Sequence, residues 1–296
     1  MGLGILFMAA TGILWVLMGV VVSHAAKKQL NMSYIQGFAG VLVALLTLPA
    51  IFRGELPSLV ISLIVLLVGF ANYYIFILME KAMKLGPNGL IWAMVQSAFI
   101  VPFTMGIVFF SVPCSGFRLA GLLLLLCATA LMGISGQKNN PVQTNGKNSK
   151  WLIFTILSFL LAGFDQSCAN LPSYLIKEET SGGLWGVITR CGICGGGFAL
   201  GWLSHCIFRR ENLFARNCSL DIVLMTISMV FSSLCLFYGL DRLANAGVGA
   251  IGYPLGMGVT IAAFQVYSAV ILKEKLSLLG IASILLCLTG IGLVTL

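Results

Sequence analysis

Ten stretches of apolar sequence, parted by short polar breaks, dictate what this chain can become. A hydrocarbon core about 30 Å thick takes roughly 20 apolar residues of helix to cross. The stretches match that length and read as spans at about 2–24, 32–52, 58–80, 86–111, 117–136, 151–176, 183–208, 219–241, 246–271 and 276–295. Transmembrane strands are nearer 10 residues and alternate polar with apolar positions, a pattern not seen here. Composition agrees, since 59% hydrophobic and 9% charged residues leave too little polar surface to coat a water-soluble globule. The expected fold class is an all-α integral membrane protein with ten transmembrane helices. Its opening, MGLGILFMAA, lacks the basic region of a signal peptide and reads as the first span. Leu6 stands where N-myristoylation needs Ser or Thr.

One long polar stretch, Gly136 to Lys150, divides five spans from five. This predicts a first five-helix repeat over 1–136, a polar linker loop over 137–150 and a second five-helix repeat over 151–296. The halves resemble each other at matched points. Glu80-Lys81 and Gly86 in the first correspond to Asp241-Arg242 and Gly247 in the second, each displaced by 161 positions. The same displacement sets Trp92 on Tyr253, and Lys27 aligns with Lys177 at a displacement of 150. Because five is odd, the second copy must lie upside down in the membrane. Inverted repeats of this kind carry solute at the repeat interface near the midplane in many secondary transporters.

The net charge of +8 comes from residues scattered through short loops, which suits topology and lipid headgroups and not nucleic acid. Arg53, Arg118, Lys177 and Arg242 lie on the side of the N-terminus. Twelve of the 17 basic residues lie opposite, so the positive-inside rule puts the central loop in the cytoplasm and both termini outside. Most of the nine cysteines fall in apolar runs and behave as small hydrophobes. Cys191 and Cys194 form a lone CxxC in a Gly-rich helix, which reads as packing and not as a metal or redox site.

Ionisable groups deep in a span need a reason, because a charge there costs about 2.5–3.5 kcal/mol even on the lenient insertion scale. Asp165 and Arg190 are the two such groups. Counted from the connection between their helices, they sit at roughly 16 and 10 Å depth, close enough to pair. Asp165 is the expected proton-coupling residue, and Arg190 the candidate fork for an anionic or hydroxyl-rich solute. Gln166 and Asn170 share the Asp165 segment and join the expected substrate-binding set. Glu80 and Asp241 read as helix-end residues, and Glu274 between two lysines as an interfacial one.

Span four presents Asn88, Trp92, Gln96 and Phe99 at the spacing of one helical face. Span nine offers Tyr253, Thr260, Phe264 and Tyr267 at comparable positions. Rings with a few amides suit an uncharged polar solute such as a sugar. Asn72 with Tyr73 in span three and Trp15 in span one extend the predicted lining. Pro254, in a Gly-rich stretch, predicts a kink in span nine, and Gly192 to Gly201 predict close helix approach in span seven.

Three further motifs stand out: Lys81-Ala-Met-Lys-Leu-Gly-Pro-Asn, Leu243-Ala-Asn-Ala-Gly, and Leu272-Lys-Glu-Lys-Leu-Ser with Gly280 beyond it. Together they resemble the drug/metabolite transporter superfamily of the EamA type. Cys194-Gly-Gly-Gly-Phe-Ala-Leu-Gly, Cys206-Ile-Phe-Arg and Ser167-Cys-Ala-Asn are most similar to the rhamnose–proton symporters. Phe110-Ser-Val-Pro-Cys departs from the pattern by lacking the acid that symmetry with Glu274 would place there. The resemblance implies a multi-pass carrier of the bacterial cytoplasmic (inner) membrane, with termini inside in many relatives, against the charge count above. Together these readings predict proton-coupled uptake of a small-molecule solute, sugar-like and neutral. The alternative is export of amino acids, aromatic compounds or drugs. Membrane lipid and protons are the expected partners, with no cofactor, no enzyme activity, and a monomer or homodimer as the assembly.

Overall fold

A computed structural model describes residues 1–53, 56–86, 88–139, 150–175, 183–209, 218–271 and 278–296. Most of the 137–150 linker, Lys177, and the Leu272–Ser277 motif with Glu274 lie outside the described residues. The chain forms α1 (Gly2–Lys28), α2 (Met32–Ile51), α3 (Leu59–Met83), α4 (Asn88–Gln96), α5 (Ile100–Phe110) and α6 (Gly116–Asn139). It continues as α7 (Lys150–Leu175), α8 (Gly183–Arg209), α9 (Ser219–Asn245), α10 (Gly252–Val270) and α11 (Leu278–Val294). No strand occurs among the described residues.

Among the described residues, eight helical units are long and apolar enough to cross a membrane: α1, α2, α3, α4 with α5, α7, α8, α9, and α10 with its leading turn. The predicted runs at 117–136 and 276–295 are helical too, but their described apolar stretches, Gly116–Leu131 and Leu278–Val294, are shorter. Large apolar side chains such as Leu46, Phe109 and Phe208 point outward from the bundle. Such a surface requires lipid, and the chain is a multi-pass membrane protein.

Pro49 and Pro172 lie within continuous helices, whereas two other prolines adjoin irregular backbone. Pro102 lies in the first turn of α5, where its ring crowds the carbonyl of Ala98, and the three residues Ser97–Phe99 tighten into a 3₁₀ turn between α4 and α5. The expected kink at Pro254 falls elsewhere. α10 begins at Gly252, so Pro254 sits in its first turn, where a backbone N–H has no intrahelical acceptor to lose. The irregularity precedes it, as the 3₁₀ turn Gly249–Ile251.

Helix pairing then sets the core. α1 packs on α9 and α10, α3 on α7 and α8, α2 on α8, and α6 on α11. Hydroxyls tie two of these crossings to backbone. Ser228 Oγ donates to the Leu14 carbonyl at 2.6 Å, and Thr260 Oγ1 donates to the Gly12 carbonyl at 2.9 Å.

The Gly-rich α8 runs between α2 and α3 at the closest range. A Cβ on Gly69 of α3 would stand 1.9 Å from the Cys194 carbonyl oxygen, and one on Gly197 of α8 would stand 2.2 Å from that of Leu66. Backbone cannot retreat as a flexible side chain can, so Gly69→Ala and Gly197→Ala are each expected to lower stability by about 1–3 kcal/mol. Thermal unfolding in detergent checks this, with Gly292→Ala, whose Cβ would meet nothing within 4 Å, as the silent control.

Candidate functional site

At the middle of the bundle α1, α3, α4, α7, α8, α9 and α10 surround a cavity of about 70 Å³. Asp165 reaches it from mid-α7 and is 5% exposed. Asn72 on the facing α3 donates from Nδ2 to Asp165 Oδ2 at 2.7 Å. The other carboxylate oxygen, Oδ1, is buried without a partner, as are Gln166 Oε1 and Trp92 Nε1 on the same wall. Gln96, Ser232, Ser233, the Cys194 thiol and the Tyr253 hydroxyl add further polar groups to the lining. Rings do much of the rest: Trp15 lies stacked with Tyr253 at 6.1 Å between centroids, and Trp92 is backed by Phe264 at 5.0 Å. Phe76, Phe198 and Phe237 complete the aromatic wall.

Of the predicted residues, Trp15, Asn72, Trp92, Gln96, Asp165, Gln166 and Tyr253 line this cavity. Tyr73, Asn88, Asn170 and Arg190 do not. Tyr73 follows Asn72 directly and therefore faces about 100° away on the helix. Its hydroxyl meets that of Ser33 at 2.5 Å, joining α3 to α2. Tyr73→Phe is accordingly expected to lower stability by about 1 kcal/mol and to leave solute selectivity unchanged, as paired unfolding and transport assays would record. Asn88 donates to Ser23 Oγ at 2.7 Å and ties α4 to α1. Asn170 is buried in α7 away from the cavity wall.

The expected pairing of Asp165 with Arg190 is corrected by the structure. Arg190 donates from Nη1 to Asp241 Oδ1 at 3.1 Å and from Nη2 to Asp241 Oδ2, and Ser173 Oγ donates to Oδ1 at 2.7 Å. Depth alone had suggested the other partner. Arg190 lies in the first turns of α8 and Asp241 in the last turns of α9, so both occupy the layer of helix ends that Ser173 of α7 also reaches. Asp241, expected as a helix-end residue, is thus the counter-ion of a buried arginine. Glu80, the other expected helix-end acid, pairs with Lys84 one turn on.

The ion pair is not remote from the cavity. The Arg190 guanidinium lies 5.2 Å from the ring centroid of Phe237, and Phe237 lines the cavity. Ser232, Ser233 and Phe237 of α9 were not anticipated. Two adjacent serines inside an apolar run were the available signal, but serine is common in membrane helices as a backbone-bonded packing residue. Phe99, expected beside Gln96, is buried in the 3₁₀ turn, where the helical face that would carry it is broken. In comparisons with known proteins, the chain matches no family model and no curated relative.

Proposed function

We propose that the chain is a secondary active transporter, ten spans arranged as two inverted five-helix repeats, that moves a small polar solute through the central cavity by alternating access. The observation that carries this reading is a buried carboxylate, Asp165, at mid-helix in a cavity lined by amides and rings, with no basic side chain in contact among the described residues. A fixed charge there serves no packing purpose and is costly to retain, so exchange with a proton or solute is its reason. In the cycle, Asp165 takes up a proton from one compartment and releases it to the other as the cavity changes its access.

The helix pairing supports the inverted repeat. Exchanging the two halves turns α1 against α9 into α7 against α3, and α1 against α10 into α7 against the α4–α5 unit. The pairs α2 with α8 and α6 with α11 map onto themselves. A two-fold arrangement of this kind provides two equivalent halves that rock about a shared site.

Two forms of the reading differ in cargo. Uptake of a sugar-like neutral solute with a proton fits Asn72, Gln96 and Gln166, which bond hydroxyls, and the rings, which cover a sugar face. Export of an amino acid, aromatic compound or drug fits the apolar share of the wall, where Met18, Val68, Met79 and Met257 stand among the rings. Purified protein in proteoliposomes, given an imposed proton gradient and a panel of labelled sugars, amino acids and aromatic amines, is expected to move one class. That movement stops when the gradient is collapsed. Movement indifferent to the gradient sinks the coupling, and movement of no class sinks the carrier.

A further inference from the structure

Four acids stand among the described residues: Glu80, Asp165, Asp221 and Asp241. Three of them have a base in contact. Glu80 meets Lys84, Asp221 Oδ1 meets His24 Nδ1 at 2.9 Å, and Asp241 meets Arg190. Asp165 alone has only an amide, with Oδ1 left without a partner. This is also the one of the four that lines the central cavity. In the half of the cycle in which Asp165 has released its proton, the cation that balances it has to come from the cavity's occupant.

The neighbouring orphaned atoms narrow that occupant further. Buried acceptors without donors are expensive, and Gln166 Oε1, on another residue of the cavity lining, is a second one. An ammonium group carries three donors and a full charge, enough to serve Asp165 Oδ1 and Gln166 Oε1 together. Trp92 Nε1 is a donor without an acceptor, and asks for an oxygen elsewhere on the same molecule. Rings around the cavity attract a cation through their faces and cover an apolar body. A neutral polyol satisfies the hydrogen bonds but leaves the carboxylate unbalanced.

We infer that the solute is a monovalent organic ammonium with an oxygen acceptor, its cationic head on Asp165 and Gln166, its oxygen on Trp92, and its apolar or aromatic body among Trp15, Phe76 and Phe237. The inference rests on the carrier reading and selects the form with amphipathic cargo over the sugar-like one.

Two probes of matched shape test it: 2-amino-1-phenylethanol and 1-phenylethane-1,2-diol, which differ by an ammonium in place of a hydroxyl. Calorimetric titration of the purified full-length protein in detergent is expected to show the amine binding about ten- to a hundredfold tighter than the diol, the span of one charge-assisted hydrogen bond. In Asp165→Asn that preference is expected to vanish. Equal binding of the two probes, binding of neither, tighter binding of glucose, or an amine preference intact in Asp165→Asn overturns the assignment. Should the variant fail to fold, the wild-type comparison decides alone. Amine binding without movement across proteoliposomes would sink the carrier reading and leave the ligand assignment standing. Gradient-driven movement of glucose without amine binding would do the reverse.

Discussion

Asp165→Asn is expected to reduce gradient-driven solute movement in proteoliposomes to the level of empty vesicles, while the purified protein remains folded. The substitution is nearly isosteric. An asparagine oxygen still accepts from Asn72 Nδ2, whose present bond to Asp165 is 2.7 Å, so the contact between α7 and α3 persists. What disappears is the capacity to hold a proton or balance a cation at that depth. Because no base among the described residues contacts Asp165, removing its charge strands none of them, and the unfolding temperature should hold or rise. A variant that keeps gradient-driven transport would show that the coupling group lies elsewhere. Loss of folding together with transport would make Asp165 a structural residue.

The opposite outcome is expected at the other buried acid. Asp241→Leu leaves Arg190, 1% exposed at its side chain, without its counter-ion, and should cost about 3–5 kcal/mol of stability. Arg190→Met should cost less. Asp241 is 15% exposed and keeps the hydrogen bond from Ser173 Oγ, so its orphaned charge retains some hydration. Combining Arg190→Met with Asp241→Leu removes both charges and should recover most of the loss, since an apolar pair of similar volume needs no desolvation. Thermal unfolding of the single and double variants in detergent measures all of this. Purely additive losses would mean that the two side chains do not act as a pair.

The division between these two acids marks where reading the chain stopped being sufficient. Both Asp165 and Arg190 were visible as anomalies, because polar groups inside apolar runs stand out against the cost of burying them. Their partners were not. Depth along a helix follows from counting residues, but which neighbour a side chain faces depends on helix rotation and on which helices touch. Asn72 and Asp165 are 93 positions apart, and Arg190 and Asp241 are 51 apart. The lining of α4 was half legible for the same reason. Trp92 and Gln96 reach the cavity as their spacing predicts, whereas Asn88 turns to α1 and Phe99 is carried off by the 3₁₀ turn ahead of Pro102.

Glycine shows the same limit in packing. The run from Gly192 to Gly201 predicted a close approach, yet the run itself does not say that α8 meets α3 at Gly69 and α2 at Gly40. By itself the amino-acid sequence determined the solvent, the helical class and the presence of ionisable residues within apolar helices, because these follow from local hydrophobicity and from the length needed to cross lipid. Only the tertiary structure decided that Asp165 meets an amide while Arg190 meets a carboxylate. That choice depends on which helix faces are brought together, and no property of either residue's own segment encodes it.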